Sequence, residues 1–312
     1  MKRVIEAVPN FSEGRDPDFA AAAAGCFARS GCSVLHTTSD PDHHRSVVTV
    51  VGPPAAIEEG AVRAAKLARD RIDMRAHRGL HPRVGALDVL PFVPLAGLAT
   101  AEVVHIAHRV SERIGRLGVP VFHYAEASRP PGRGLGEIRR GGFEALMAQE
   151  GGVAARRRRR ADVVGLESAG RVHAWAHPTA GATCVGAREV LLAWNVDVKE
   201  VGIAEARRVA ATLRESGGGH PGLRALALHL PQQDRLQISM TLARPDLIDP
   251  MVVFADLEAK VQNEGGRVAG TELIGMAPDS IDDEAAAAMR IRDWSPDRML
   301  SQRLLALDED CC

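Results

Sequence analysis

The sequence contains no run approaching the ~20 consecutive apolar residues that span a bilayer. Its opening, MKRVIEAVPNFSEG, lacks the apolar segment of a secretory signal. Neither sign of charge dominates, with 39 Lys and Arg against 40 Asp and Glu, so net charge advertises no nucleic-acid or membrane partner. Any electrostatic function is therefore local. Cysteine is sparse: Cys26, Cys32 and Cys184 stand singly among apolar or small residues, where a free thiol acts as a small hydrophobe. Cys311 and Cys312, adjacent in the acidic tail LDEDCC, fit a dispensable terminus better than a designed disulfide. Also missing are a G-x-S-x-G elbow and a poised Cys-His signature, so no covalent enzyme intermediate is expected. Together these absences predict a cytoplasmic protein.

What is present is a core-forming composition, 46% hydrophobic over 312 residues, enough for about two domains. Strands and helices alternate. RVIEAVPNF begins as a strand and ends in a turn, and an alanine-rich helix follows near residues 17–29. The β-branched stretches CSVLHTT and SVVTVVG bracket the polar loop SDPDHHR. Apolar residues at helical spacing run from Ile57 to Arg71. The strand ALDVLPFVP carries Pro91, which demotes it from a central position or marks a bulge. A helix from Thr100 to Leu117, a strand VPVFHY and a weaker helix from Leu135 to Ala148 complete the first half. Five arginines, Arg156 to Arg160, then read as a solvated linker.

In the second half the pattern is β, α, β, β, α, β: the end of REVLLAWNVDV, a helix from Ala204 to Arg214, LRALALHLP, RLQISMTLA, PMVVFADLEAKVQNEGG and RVAGTELIGMAP. That order is the split β-α-β arrangement of ferredoxin-like folds, an α+β sandwich with helices on one face of the sheet.

In the stretch RAHRGLHPRVGALDVLPFVP, two histidines, His77 and His81, sit in a glycine-punctuated loop beside Arg83, directly before a buried strand. A histidine titrating near neutrality serves as both proton acceptor and donor, a contribution of roughly 100- to 10,000-fold in rate. Arg45, Arg75 and Arg83 are candidates to clamp substrate carboxylates bidentately. His173, His177 and Cys184 offer common zinc-ligand types, but Pro178 breaks any helix that would bring the two imidazoles to one face, and no metal is expected.

Five ordered motifs, VPNFSEGRD, DPDHHRSVVTVVG, IDMRAHRGLHPRVGALDVLPFVP, HPTAGATCVGAR and LAWNVDV, resemble the formiminotransferase domain of glutamate formimidoyltransferases, folate enzymes of histidine breakdown. The resemblance runs from the first residues to about Pro278. It implies two ferredoxin-like subdomains side by side, placed here at 1–178 and 179–312, with a ligand groove between them. It also implies a homodimer, no metal, and tetrahydrofolate as co-substrate for moving a formimino group to or from an amino acid or amine. The catalytic residue of the His-Pro-Arg triplet falls on His81. The substrate- and folate-binding positions are Asn10, Ser12, His44, Arg45, His77, Arg83, His177, Thr179, Gly181, Ala182 and Thr183, with Gly181 and Ala182 small enough to leave room for a flat pterin. Departures accompany the matches: Leu80 stands where the family carries a glutamate, His44 replaces an asparagine, and AGRVHAWAHP, with Trp175, replaces a Pro-Asp-Phe-Gly-Pro signature. They put glutamate in question as the amino-acid partner. The alternatives are a glutamate formimidoyltransferase of histidine degradation in the strict sense and a folate-binding relative without catalysis.

Overall fold

A computed structural model describes residues 3–148 and 160–309. Arg156 to Arg159 and the two terminal cysteines lie outside the described residues. The chain divides into two compact units, Met1–Arg188 and Glu189–Cys312, each mixed α+β.

The first unit runs β1 (Val4–Ala7), β2 (Asn10–Phe11), α1 (Pro17–Ala28), β3 (Ser33–Asp40), β4 (Arg45–Gly52), α2 (Pro54–Arg71), β5 (Leu87–Ala96), α3 (Thr100–Gly115) and β6 (Val121–Ala125). There follow α4 (Leu135–Ile138), α5 (Gly142–Ala148), β7 (Gly165–Leu166), β8 (Val172–His173) and β9 (Thr183–Ala187). Local chemistry explains where α1 starts. Asp16 accepts from the backbone N–H groups of Asp18 and Phe19, and Pro17 supplies a pre-set φ with no N–H to lose. Phe19, Ala23 and Phe27, four residues apart, form its buried stripe. Helix α2 buries Ala61, Ala64, Ala65 and Ala68, side chains short enough to let it lie close to its neighbours, and α3 buries Val103, Ile106, Val110 and Ile114. The expected single helix from Leu135 to Ala148 is two pieces, because Gly141 and Gly142 take φ of +78° and +66° and interrupt it.

The first sheet has the order β3, β4, then β1 and β2 as two pieces of one broken strand, β5, β9, β6. Strand β5 is central despite its proline. The break between β1 and β2 falls opposite Pro91, with the Val8 N–H reaching the Pro91 carbonyl at 3.3 Å, so the irregularity passes to the neighbouring strand. Strand β9 enters late and pairs in parallel with both β5 and β6. Its Val185 and Ala187 belong to the first core. The division of the chain therefore lies after Arg188, beyond the boundary expected at 178, because residues 179–187 complete the first sheet.

The second unit runs β10 (Leu192–Lys199), α6 (Ile203–Leu213), β11 (Leu223–Leu230), β12 (Arg235–Leu242), α7 (Pro250–Asn263) and β13 (Arg267–Ile274), with α8 (Asp283–Ala288) and α9 (Leu300–Glu309) beyond the expected pattern. Its antiparallel sheet has the order β11, β12, β10, β13. The core gathers Trp194, fully buried, with Val196, Leu213, Phe254 and Leu257. Among the described residues no helix is long and apolar enough to cross a membrane.

Candidate functional site

The site grows from two loops of the first unit, the β3–β4 turn and the α2–β5 connection. In the turn, His44 takes φ of +50°, a strained conformation for a residue with a side chain, and its ring lies flat on that of His77 at 4.3 Å between centroids. The Leu80 N–H donates to the Asp42 carbonyl at 3.1 Å, which locks the two loops together. Gly79 makes the crossing possible, since a Cβ there would stand 2.4 Å from the His43 carbonyl oxygen. This is why a glycine sits between the two histidines.

The two histidines have different jobs. His77 is almost fully buried. Its Nε2 reaches the His44 carbonyl at 3.0 Å, and a carbonyl only accepts, so Nε2 carries the hydrogen. Its Nδ1 then accepts from Arg83 Nε at 3.0 Å. Both nitrogens are engaged, and burial pushes its pKa down to about 4. His77 is thus a strut that aligns Arg83 and His44.

His81 points its Nδ1 at the Pro82 carbonyl, 2.8 Å away, which places the hydrogen on Nδ1 and leaves Nε2 with a lone pair able to accept a proton. Its pKa is held well below the ordinary histidine value, first by loss of solvation and then by the charges of Arg45, Arg139 and His43. The result is a neutral imidazole at physiological pH. His43, itself 3.0 Å from Asp40, meets it edge to face at 6.2 Å.

Under these loops lies a charged cluster of which sequence reasoning identified only one member and its support. Asp88 on β5 is completely buried. One carboxylate oxygen accepts from the Val84 N–H at 2.8 Å, and the other accepts from Arg45 Nη1 at 2.9 Å and from Arg139 Nη2. Asn10 steadies Arg45 by accepting from its Nε and Nη2 at 3.1 and 2.9 Å. Burial and the repulsion of Arg139 press the Arg45 pKa down to about 10, still charged at neutrality. Burial works against the ionised Asp88, but the two guanidiniums outweigh it and hold its pKa below the usual value. Two cations share one carboxylate, which leaves one positive charge beside His81.

The other arginines are committed elsewhere. Arg83 makes a bidentate pair with Glu144 at 2.9 and 2.7 Å, and Arg75 pairs with Asp73. Arg75 and Arg83 are thus both held by carboxylates of this chain. Ser12 donates its hydroxyl to the Gly85 carbonyl at 2.7 Å and holds a loop in place. A cleft of about 550 Å³ beside the loop is lined by residues including His77, Arg78, Arg83, Phe143 and Glu144, and His81 is not among them.

The HPTAGAT loop is also a joint. Gly181, at φ of +68°, has no room for a Cβ, which would lie 2.2 Å from the Val84 carbonyl oxygen. The Ala182 N–H donates to Val84 and the Ala86 N–H to Ala180, while the Thr179 carbonyl accepts from Met74. The space expected beside Gly181 and Ala182 for a flat ring is filled by this chain's own Val84–Gly85 backbone. Ala182 and Thr183 are buried.

His177, His173 and Glu167 bring candidate ligand atoms within 4.8 Å of one another. The tautomer opposes a metal there. His177 Nδ1 accepts from the Ala180 N–H at 3.1 Å, so it carries no hydrogen and the neutral ring has its hydrogen on Nε2, the atom that would have to face the ion. His173 donates to Glu167 instead, at 2.7 Å. Cys184 sits in another core cluster, with burial raising its thiol to about 12.

The residues around Leu80 bear on the departures noted above. The Leu80 side chain is 42% exposed. Carboxylates beside the histidines come from other positions: Asp40 on His43 and Glu13 on His44, the latter at 3.2 Å.

Against known families, residues 4–188 match the formiminotransferase domain, N-terminal subdomain, and residues 193–290 match the formiminotransferase domain. The chain is 35% identical over 309 residues to a glutamate formimidoyltransferase of Streptococcus pyogenes serotype M1, covering 94% of this chain and 96% of that protein. It is 31% identical over 305 residues to a glutamate formimidoyltransferase of Thermoplasma acidophilum, covering 96% and 97%. A formimidoyltransferase-cyclodeaminase of Sus scrofa is 36% identical over 295 residues, 89% of this chain and 51% of that longer protein.

Proposed function

The chain belongs to the formiminotransferase domain family, and from that premise we propose that it transfers the formimino group of N-formimino-L-glutamate to tetrahydrofolate, with His81 as the acid/base. The amine of the acceptor attacks the amidine carbon, a C–N bond forms, and the nitrogen gives its proton to His81 Nε2. His81 returns that proton to the glutamate nitrogen as the older C–N bond breaks, so protons balance and no covalent enzyme intermediate is needed. The observation that carries this role is the hydrogen bond from His81 Nδ1 to the Pro82 carbonyl, which leaves the Nε2 lone pair able to accept a proton. Glutamate stands as the amino-acid partner because the carboxylate absent at Leu80 is not absent from the loops, and because the charged cluster beside His81 carries an excess cation that an amino acid's carboxylate complements.

The enzyme takes each unit as a ferredoxin-like sandwich, an assignment supported by the matching order of β3, β4, β1/β2, β5 and of β11, β12, β10, β13. It works as a homodimer that needs no metal, a reading that rests on the family resemblance, in the cytoplasm. Asn10 and Ser12 serve by holding Arg45 and the loop, and His44 and His77 by aligning it.

A direct assay tests the function: mixing N-formimino-L-glutamate with tetrahydrofolate should yield glutamate and 5-formimino-tetrahydrofolate. Absence of turnover with retained folate binding would establish the non-catalytic alternative. The pH dependence tests the base. Protonated His81 cannot accept a proton, so kcat/KM should fall as pH drops through the pKa of His81 in the free enzyme. Because that pKa is held down, the acid limb should lie below the ordinary histidine value of about 6.5. An acid limb at or above 6.5 would assign the titration to another group.

A further inference from the structure

We propose that Arg139 binds the α-carboxylate of the amino-acid substrate, next to the nitrogen that exchanges the formimino group. The inference rests on the formimino-transfer function above and adds a residue to it. Arg139 follows the short helix α4, just before the glycine break that separates it from α5. Its side chain is 13% exposed and reaches the oxygen of Asp88 that Arg45 also contacts. Arg45 has its Nε and both terminal nitrogens engaged by Asn10 and Asp88. Arg139 does not: its Nε is buried without a hydrogen-bond partner. A guanidinium has five N–H donors, and this one has its incomplete set in a cluster whose charge sums to one excess cation.

An anion completes both the hydrogen bonding and the charge. A carboxylate can come from the amino acid or from the glutamyl end of folate, and covalent distances choose between them. In N-formimino-L-glutamate the α-carboxylate is attached to the carbon that bears the reacting nitrogen. In tetrahydrofolate the glutamyl carboxylates lie beyond an aminobenzoyl group from the reacting nitrogen. The Asp88 carboxylate that holds Arg45 and Arg139 also accepts from the Val84 N–H, three residues past His81, and His43, two residues before Arg45, meets His81 edge to face, so the cluster is near the chemistry, where the amino acid brings its carboxylate. Its arrival also has a consequence for the base. The groups acting on His81 are Arg45, Arg139 and His43, all disfavouring its protonation, with the Pro82 carbonyl opposing them. A bound carboxylate offsets the excess charge and makes His81 a stronger base once substrate is present.

Steady-state kinetics on Arg139→Gln and Arg139→Lys tests this, with N-formimino-L-glutamate compared with N-formimino-4-aminobutyrate, which lacks the α-carboxylate. For R139Q the expected result is a KM for N-formimino-L-glutamate raised about 10- to 100-fold, the range for a lost charge-assisted hydrogen bond. The KM for tetrahydrofolate should stay within about twofold. Wild-type enzyme should disfavour the 4-aminobutyrate compound by a similar factor, and R139Q should not. R139K, which keeps the charge and loses the fork, should fall between. The acid limb of kcat/KM should move up in R139Q and stay low in R139K. Thermal unfolding guards against a folding defect, because removing Arg139 leaves Asp88 and Arg45 as a balanced pair that should remain stable. A rise in the tetrahydrofolate KM alone, equal rises in both, or no discrimination change between the two donors would overturn the proposal. Wild-type enzyme inactive on N-formimino-L-glutamate would overturn the function itself and this role with it, an outcome distinct from an active wild type with an indifferent R139Q.

Discussion

Replacing His81 by alanine should lower kcat by at least ~100-fold while leaving tetrahydrofolate affinity nearly unchanged. The side chain is held by one short contact to the Pro82 carbonyl, so its removal disturbs little of the surrounding loop. What disappears is the only group of the RGLHPR segment that has a ring nitrogen free to accept a proton. His77, four positions earlier in the same loop, cannot substitute, because both its nitrogens are bonded to His44 and Arg83. Single-turnover kinetics should therefore place the loss in the chemical step. A variant retaining more than about a tenth of wild-type turnover would move the acid/base role to another residue, with His44 the next to test.

Replacing Asp88 by alanine should destabilise the first unit by about 3–5 kcal/mol, the cost of leaving a buried ion pair without one partner. Two guanidiniums, of Arg45 and Arg139, would then face each other in a site where the carboxylate is fully excluded from water. The Val84 N–H would also lose its acceptor. For a unit of this size the shift corresponds to roughly 6–20 °C in Tm, measurable by scanning calorimetry. The double variant D88A/R139Q should recover part of it, since one repelling cation is gone. The sign with pH follows from the depressed pKa of Asp88. The stabilisation is fully present above the unfolded carboxylate value of about 3.9 and is lost as pH falls through the lower folded value. A D88A protein as stable as wild type would show that the cluster is solvated rather than buried.

Much of this architecture is written in local patterns. The Asp16–Pro17 start of α1, the alternation in LRALALHL and the β-branched run of β4 each declare an element within a few residues. The histidine loop was legible for the same reason: its residues are neighbours in the chain. The charged cluster was not, because Arg45, Asp88 and Arg139 come from β4, β5 and the end of α4, and periodicity reports how one element is buried without naming its partner. One signal was available. Asp88 interrupts an otherwise apolar strand, and a carboxylate inside a buried strand requires a cation. Arg83 lies beside the histidines in sequence and bonds His77 through its Nε, while its terminal nitrogens are held by Glu144, a partner that sequence neighbourhood does not name. Gly181 looked like room for a ligand, and the room is taken by the chain's own backbone.

The late entry of β9 sets a timetable for a growing chain. Among the described residues, strand β6 pairs into the first sheet through β9 alone. A ribosome adding about 5–20 residues per second completes β9 roughly 3–12 s after β6. Through that interval Phe122 and Tyr124, buried in the finished unit, lack Cys184 and Gly186, their partners on β9. A nascent chain stalled after residue 178 should thus be cut readily by protease near β6, and one released through residue 188 should resist. The last strand made for this unit is the clasp that makes its far edge safe to expose to the cell.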